Sequence, residues 1–205
     1  VNKKYGRSVE AWENSSVVAW ENSSVEARGN SSVVARGNSS VTGQGNVQIV
    51  DHLVGGRIEI TGNARIVYNP KTIEEYMDFY EIQHDKKKGL FYKAVHKVNG
   101  KYVSSWDDEF EYKIGEIAEC KRELNTDPEE DCGSGIHIAH LAWCLDYAKN
   151  WEDICILECE AKLDNIIVSV NAPGKVRTDK VKIVREVPLE ECGLYGKIIA
   201  KRIGA

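Results

Sequence analysis

Valine and alanine stand two residues apart, and the pair returns every eight residues through the first third of the chain. Val9 and Ala11 are followed by Val17 and Ala19, Val25 and Ala27, and Val33 and Ala35. The phase continues through Val41 and Ile49, then slips by one residue to Ile58 and Ile66. Val1 is also in phase, eight residues before Val9. Apolar side chains at i and i+2 are the alternation of a strand and not the stripe of a helix. Between the pairs lie turn segments such as Gly29-Asn30 and Gly37-Asn38, whose residues tolerate positive φ. One octad therefore supplies a short strand and a turn, which is one side of a coil. Two octads close a coil of sixteen residues, and stacked coils give a β-solenoid over residues 1–69. Val and Ala fill its interior, Asn side chains stack in ladders, and about four coils rise ~19 Å at the spacing of neighbouring strands.

The outward positions support the sixteen-residue coil. The fourth octad position reads Trp12, Trp20, Arg28, Arg36, Gln44 and His52. Residues sixteen apart share a face, so Arg28 covers Trp12 and Arg36 covers Trp20, each contact worth ~0.5–1 kcal/mol at an exposed site. Trp12, Trp20, Arg28 and Arg36 are candidates for a surface that binds protein or glycan; the plainer reading is a solvated ladder. A solenoid end is an open strand edge. The chain is thus expected to associate with itself through its solenoid ends, or to carry a cap upstream of Val1, where the repeat phase implies a missing native start.

After Pro70 the period changes. Thr72-Ile73-Glu74-Glu75 has capping-box spacing, and Ile73, Tyr76, Met77 and Tyr80 continue it at helical intervals. A helix over 72–84, within a capping or linking segment 70–88, is the expectation. An α+β domain fills residues 89–205. Leu90–Val95 alternates as a strand, Asn99-Gly100 is a hairpin turn, and Lys101–Val103 returns. Further strands are predicted at 110–115, 136–139, 154–161, 166–170 and 181–187, with a helix over 140–151. The tail from Tyr195 to Ala205 reads as a last strand or as disorder.

Composition narrows the function classes. With 27 basic and 32 acidic residues the formal charge is −5, and the basic residues are scattered, which argues against a nucleic-acid footprint. No apolar run reaches the ~18 residues of a membrane helix. Six cysteines, none in the repeat region, read as reduced thiols of a cytosolic protein. Cys132, His137, His140 and Cys144 are the one cluster to weigh as a zinc site. Their spacing matches no familiar finger, and a buried thiol beside a hydrogen-bonded strand histidine is the favoured reading. A Cys132–histidine nucleophile pair ranks lower. P-loop, nucleophile-elbow and H-E-x-x-H patterns do not occur.

The run Cys132-Gly133-Ser134-Gly135-Ile136-His137, together with Lys175-Val176-Arg177 leading into Val181–Val187, resembles an uncharacterised domain family of phages and bacteria. Its mark is a C-G-x-G-[IL]-H motif, and the resemblance spans about 89–188 with the octapeptide repeats. A second rhythm, Gly133-Ser134-Gly135-Ile136-His137-Ile138-Ala139 with Ala142 and Tyr147 downstream, is similar to a strand-helix motif of ADP-ribosyltransferases. That resemblance implies NAD as cofactor, with Tyr92 and His137 beside the nicotinamide and Glu158 or Glu160 as the stabilising carboxylate. Here His137 stands where that motif has Tyr, and Tyr92 or Lys93 stands where it has His or Arg. The leading expectation is a structural or interaction protein without cofactor, cytoplasmic or virion-associated, in which a β-solenoid stalk presents a compact binding module. An ADP-ribosyltransferase-like NAD-binding enzyme is the alternative.

Overall fold

A computed structural model describes residues 8–53, 55–67, 69–172 and 174–204. The chain divides into two compact units, the first ending at Pro70 and the second beginning at Lys71. The in-phase Val1 lies outside the described residues.

The first unit is a β-solenoid. Its strands are β1 (Ser8–Ala11), β2 (Ser16–Ala19), β3 (Ser24–Gly29), β4 (Ser32–Gly37), β5 (Ser40–Gly45), β6 (Gln48–Leu53), β7 (Arg57–Gly62) and β8 (Arg65–Val67). They form two four-stranded sheets, β1-β3-β5-β7 and β2-β4-β6-β8. All neighbours are parallel, and Val9, Val25, Val41 and Ile58 stand in one column. Val17, Val33, Ile49 and Ile66 form the facing column. Partners are therefore sixteen residues apart until the last coil, which takes seventeen. The extra residue falls in the Gly55-Gly56 turn, where a Cβ on Gly56 would lie 2.0 Å from the Ser39 carbonyl oxygen. The one-residue slip in the repeat is thus absorbed by a position that excludes any side chain.

Val25, Ala27, Val33, Ala35, Val41, Val47 and Ile49 fill the interior and are almost wholly buried. Outside, Arg28 lies over the Trp12 ring at 4.8 Å and Arg36 over Trp20 at 4.7 Å. The indoles themselves are about half exposed. An asparagine ladder also forms, Asn46 Nδ2 donating to Asn30 Oδ1 at 3.1 Å and Asn63 Nδ2 to Asn46 Oδ1 at 3.3 Å. The turn position with positive φ is the fifth of the octad. Gly29, Gly37, Gly45 and Gly62 hold it in later coils, whereas Glu13 and Glu21 hold it, at φ 56° and 55°, in the earlier ones. A left-handed conformation costs a residue with a Cβ about 1–2 kcal/mol. Replacing Glu21→Gly is therefore expected to raise the solenoid's stability by about 1 kcal/mol, read as a higher melting temperature. An unchanged or lower one would contradict this account of the turn.

The second unit opens with helix α1 (Ile73–Phe79), which carries the expected capping box at Thr72 and Glu75. It stops five residues earlier than its periodicity suggests, because Glu81 turns to φ 51° and sends Ile82 back into the core. The strands follow as β9 (Lys88–Val98), β10 (Lys101–Val103), β11 (Glu111–Tyr112), β12 (Ile117–Glu119), β13 (Ile136–Ala139), β14 (Ile154–Lys162), β15 (Ile167–Val168), β16 (Lys175–Thr178) and β17 (Lys180–Val187). Helix α2 (Leu141–Tyr147) lies between β13 and β14, and α3 (Gly193–Ile203) ends the described chain. The sheet has nine strands in the order β12-β17-β14-β9-β13-β16-β15, with β10 added to β9 and β11 to β10. All its pairings are antiparallel.

Each face of this sheet has its own core. Phe91, Val95, Leu157, Cys159 and Ile183 meet Tyr76 and Met77 of α1 on one side. Ala94, Ile156 and Val187 meet Leu145 of α2, its C-cap Ala148, and Ile199 and Ala200 of α3 on the other. The tail is thus a helix and not a strand or a disordered end. Ile199, Ala200 and Ile203 share one flank of it against the sheet, and Gly204 closes it at φ 75°. All six cysteines are free thiols. Burial pushes the Cys144 and Cys159 thiols up to about 12, so both are inert apolar core groups.

Candidate functional site

The sheet of the second unit is not closed along its whole length. β13 runs beside β16 over four residue pairs, from Ile136↔Thr178 to Ala139↔Lys175. Against β9 it makes one, Ala139↔Tyr92. Beyond that pair the two strands part, and a cleft of about 660 Å³ lies in the opening. The carbonyl of His137 accepts a hydrogen bond from Lys93 Nζ at 2.9 Å.

The floor of the cleft is the turn Cys132–Gly135 and the start of β13. Its two glycines are packing requirements. A Cβ on Gly133 would approach Asn125 to 2.9 Å and Arg177 Cζ to 3.1 Å, and Gly135 sits at φ 151° beside Leu124. The buried Arg177 organises this region. Its Nε donates to the Asn125 carbonyl at 2.7 Å, Nη1 to Ser169 Oγ at 3.1 Å and to the Glu130 carbonyl, and Nη2 to the Asp127 carbonyl. The Arg of Lys175-Val176-Arg177 thus braces the acidic loop of residues 125–131 from inside, while the Lys two residues earlier lines the cleft.

Charge in the cleft is mostly positive. Lys93, Lys121, Arg122 and Lys175 line it, against Asp107. Lys121 is spoken for by Asp107 at 2.8 Å. Arg122 is paired with no side chain among the described residues, and Lys175 Nζ meets only the Cys132 thiol, at 3.9 Å. The Cys120 thiol lies 3.7 Å from Ser134 Oγ, so Cys120-Lys121-Arg122 runs beside the glycine turn. Trp106, Phe110 and Tyr112 supply an aromatic wall, with Trp106 nearly four-fifths exposed. Trp143 and Tyr147, stacked at 4.9 Å, supply another.

His137 is the group to watch. Its Nε2 is buried and has no hydrogen-bond partner. The Gly133 backbone is the one neighbour that favours the protonated ring. Assigning the ring hydrogen to Nδ1, on the side of the Gly133 backbone, leaves the bare lone pair on the unpartnered Nε2. Desolvation first, then the charges of Lys175, Lys93 and Arg177, push its pKa down to about 4. A neutral imidazole among cations is the result. The linkage has a definite sign. The unfolded chain takes up the His137 proton near 6.5, whereas the folded chain resists until about 4, so stability is full above ~6.5 and falls as the pH drops through that window. His137→Gln is expected to flatten the fall. Burial lowers the His140 pKa too, so part of the slope remains. Equal slopes from pH 7 to pH 4 for both proteins in urea denaturation would refute the assignment.

The structure brings Tyr92 and His137 to the cleft but not the two glutamates. Glu158 stands opposite Tyr92 in the β9–β14 ladder, and burial together with that carboxylate raises the Tyr92 phenol. Yet Glu158 pairs with Arg185 at 3.3 Å and Glu160 with Lys88 at 2.6 Å, both away from the cleft lining. The four candidate zinc ligands also separate. His140 caps α2 by accepting from the Trp143 amide at 3.4 Å and stacks on Tyr80 at 4.0 Å. Cys144 is buried in the helix core, and Cys132 is exposed. Among the described residues, no group of three or more His, Cys, Asp or Glu is placed to hold a metal ion. No helix among them is long and apolar enough to cross a membrane.

Lys121, Arg122, Lys175 and Trp106 were absent from the sequence candidates, and Lys93 entered only as the alternative to Tyr92 at the first-strand position. They come from four separate parts of the chain, around Lys93, Trp106, Lys121-Arg122 and Lys175, and only the splaying of β9 from β13 gathers them. The one signal available in the chain was Lys175 within Lys175-Val176-Arg177.

Comparison with known proteins places this unit in context. A family model described as a domain of unknown function, DUF7666, matches residues 90–194, entirely within the second unit. A protein of Bacillus phage SPbetaL7 named Gabija anti-defense 2 is 35% identical over 121 residues, covering 56% of this chain and 29% of that protein. The chain therefore spans under a third of that relative's length. No solved structure matches it significantly.

Proposed function

The chain belongs to the DUF7666 family, and from that premise we propose that it is an interaction protein of the anti-defence kind. In this reading the β-solenoid carries the α+β module, and the module's cleft captures an anionic ligand group belonging to a host defence system. The observation that carries the reading is the pairing, in one cleft, of Arg122 and Lys175, which have no carboxylate partner among the described residues, with an unpartnered His137 Nε2. Folded proteins leave few buried polar atoms unsatisfied, and such atoms mark strain or an absent partner. The distant relative's name supplies the direction, since it is called an anti-defence protein against Gabija. An NAD-using transferase draws no comparable support, because the carboxylates it needs are engaged by Arg185 and Lys88.

The test is a plaque assay in a bacterium carrying a Gabija system. Expression of the chain is expected to restore plaques by about tenfold or more, and the double charge reversal Arg122→Glu with Lys175→Glu is expected to abolish the rescue. The double variant is expected to retain the fold by circular dichroism, since neither side chain is buried. Full rescue by the charge-reversed protein, or none by the parent, would overturn the reading.

A further inference from the structure

We propose that the cleft of the second unit binds a small organic phosphate, with Arg122 and Lys175 facing the phosphoryl oxygens, His137 Nε2 accepting the ligand's acidic or hydroxyl hydrogen, and the aromatic walls receiving a flat ring. The inference rests on the reading of this cleft as the binding site and names the ligand class. Three features of the cleft select that class. First, two cations without a carboxylate partner among the described residues flank the Cys132–Gly135 turn, Lys175 through its contact with the Cys132 thiol and Arg122 through the Cys120–Ser134 contact. A guanidinium and an ammonium together suit a phosphate, whose oxygens accept from both. Second, His137 offers an acceptor and not a donor. A carboxylate has no hydrogen to give it, whereas a monoester phosphate, whose second pKa is about 6, is about half monoprotonated at pH 6, and a sugar hydroxyl always has one. Third, exposed Trp106 beside Phe110 on one wall, and the Trp143–Tyr147 stack on another, give faces for a planar group. Aromatic stacking of a base on such a face is worth ~1–3 kcal/mol.

Binding carries an electrostatic signature. The charged groups facing His137 are Lys93 from β9 and Lys175 and Arg177 from β16, all cationic. An anion placed among them cancels part of the field that keeps the imidazole neutral, so the complex takes up a proton that the free protein refuses.

The experiment is titration calorimetry of the full chain at pH 6.0, in two buffers of different ionisation heat. The probes are adenosine monophosphate, phenyl phosphate, adenosine and inorganic phosphate. Both aryl-bearing phosphates are expected to bind, and adenosine at least about tenfold more weakly, equivalent to ~1.4 kcal/mol. Binding by phenyl phosphate without the monophosphate nucleotide would support the class and restrict it to simple aryl esters. Lys175→Ala and Arg122→Ala are each expected to weaken binding about tenfold, and His137→Gln to remove the proton uptake while leaving the heat of phosphate contact. Equal affinity for adenosine and its monophosphate, or no heat with any phosphate up to about 5 mM, where even a weak site registers, overturns the proposal. Proton uptake that persists in His137→Gln overturns the role of Nε2. Plaque rescue lost on charge reversal, in a protein that binds no phosphate, would sink the ligand class and leave the anti-defence reading standing. Phosphate binding without rescue would do the reverse.

Discussion

Arg177→Met is expected to destabilise the α+β unit by about 3–5 kcal/mol and to open the floor of the cleft. The side chain is 1% exposed, so its guanidinium has left water entirely, and its stability comes from the acceptors arranged around it. Those acceptors are the carbonyls of Asn125, Asp127 and Glu130, with Ser169 Oγ and Asn125 Oδ1. Methionine fills much of the volume and offers no donor. Three backbone carbonyls then lose their partner, at ~1–3 kcal/mol for each that cannot rehydrate. The loop is near the surface, so some do rehydrate, which holds the total near the middle of that range. Arg177→Lys restores the charge but not the planar fork that reaches three carbonyls at once. It is expected to recover less than half of the loss. Urea denaturation reads the stability, and hydrogen exchange reads the loop. Amides of residues 123–135 are expected to lose protection in Arg177→Met before those of β9 and β14. A loss under 1 kcal/mol would show that water already shares these carbonyls.

That result bears on how much could be read from the chain unaided. The solenoid was legible because its signal is redundant. Val25, Val33 and Val41 repeat one instruction, and a single misread octad changes nothing. The sixteen-residue register and the Arg28–Trp12 and Arg36–Trp20 contacts follow from it directly. The left-handed turn at Glu13 and Glu21 did not follow, since glutamate carries no turn signal. In the second unit, β9 and β14 announce themselves by alternation. The tail did not, because Ile198, Ile199 and Ile203 carry strand propensity, and only packing against Ile156 and Val187 makes α3 the better answer. Cys132–His137 stood out as a motif, but its glycines answer to Asn125 and Arg177, more than fifty positions apart from one another. The cleft was hidden for the same reason. Lys93, Arg122 and Lys175 look like ordinary solvated charges until one learns that β13 pairs with β9 at a single residue.

The repeat region yields the sharpest expectation, because its interior and exterior alternate residue by residue. Val33 is 0% exposed and stacks between Val17 and Ile49 in the middle of its column. Val33→Asp puts a carboxyl among Val and Ala side chains that offer it neither donor nor cation. The group stays protonated in the folded state, and even the neutral acid costs several kcal/mol without a hydrogen-bond partner, on the order of 4–5 with the lost valine packing. Its folded pKa lies above the unfolded value near 3.9, so the penalty grows as pH rises past about 4. Because each coil touches only its neighbours, a break in a central coil separates the stack into pieces too short to persist. The control is one position away. Val34 points outward, level with Val18 and Val50, and the equivalent column in the other sheet already holds Glu10 and Glu26. Val34→Glu is expected to cost under about 1 kcal/mol, through cross-strand packing alone. Far-UV circular dichroism during thermal melting separates the two. Val33→Asp is expected to lose the solenoid's transition at neutral pH and regain part of it at pH 4, while Val34→Glu melts within a few degrees of the parent. Indistinguishable melts for the two variants at pH 7 would mean that the valine column does not hold the coils together.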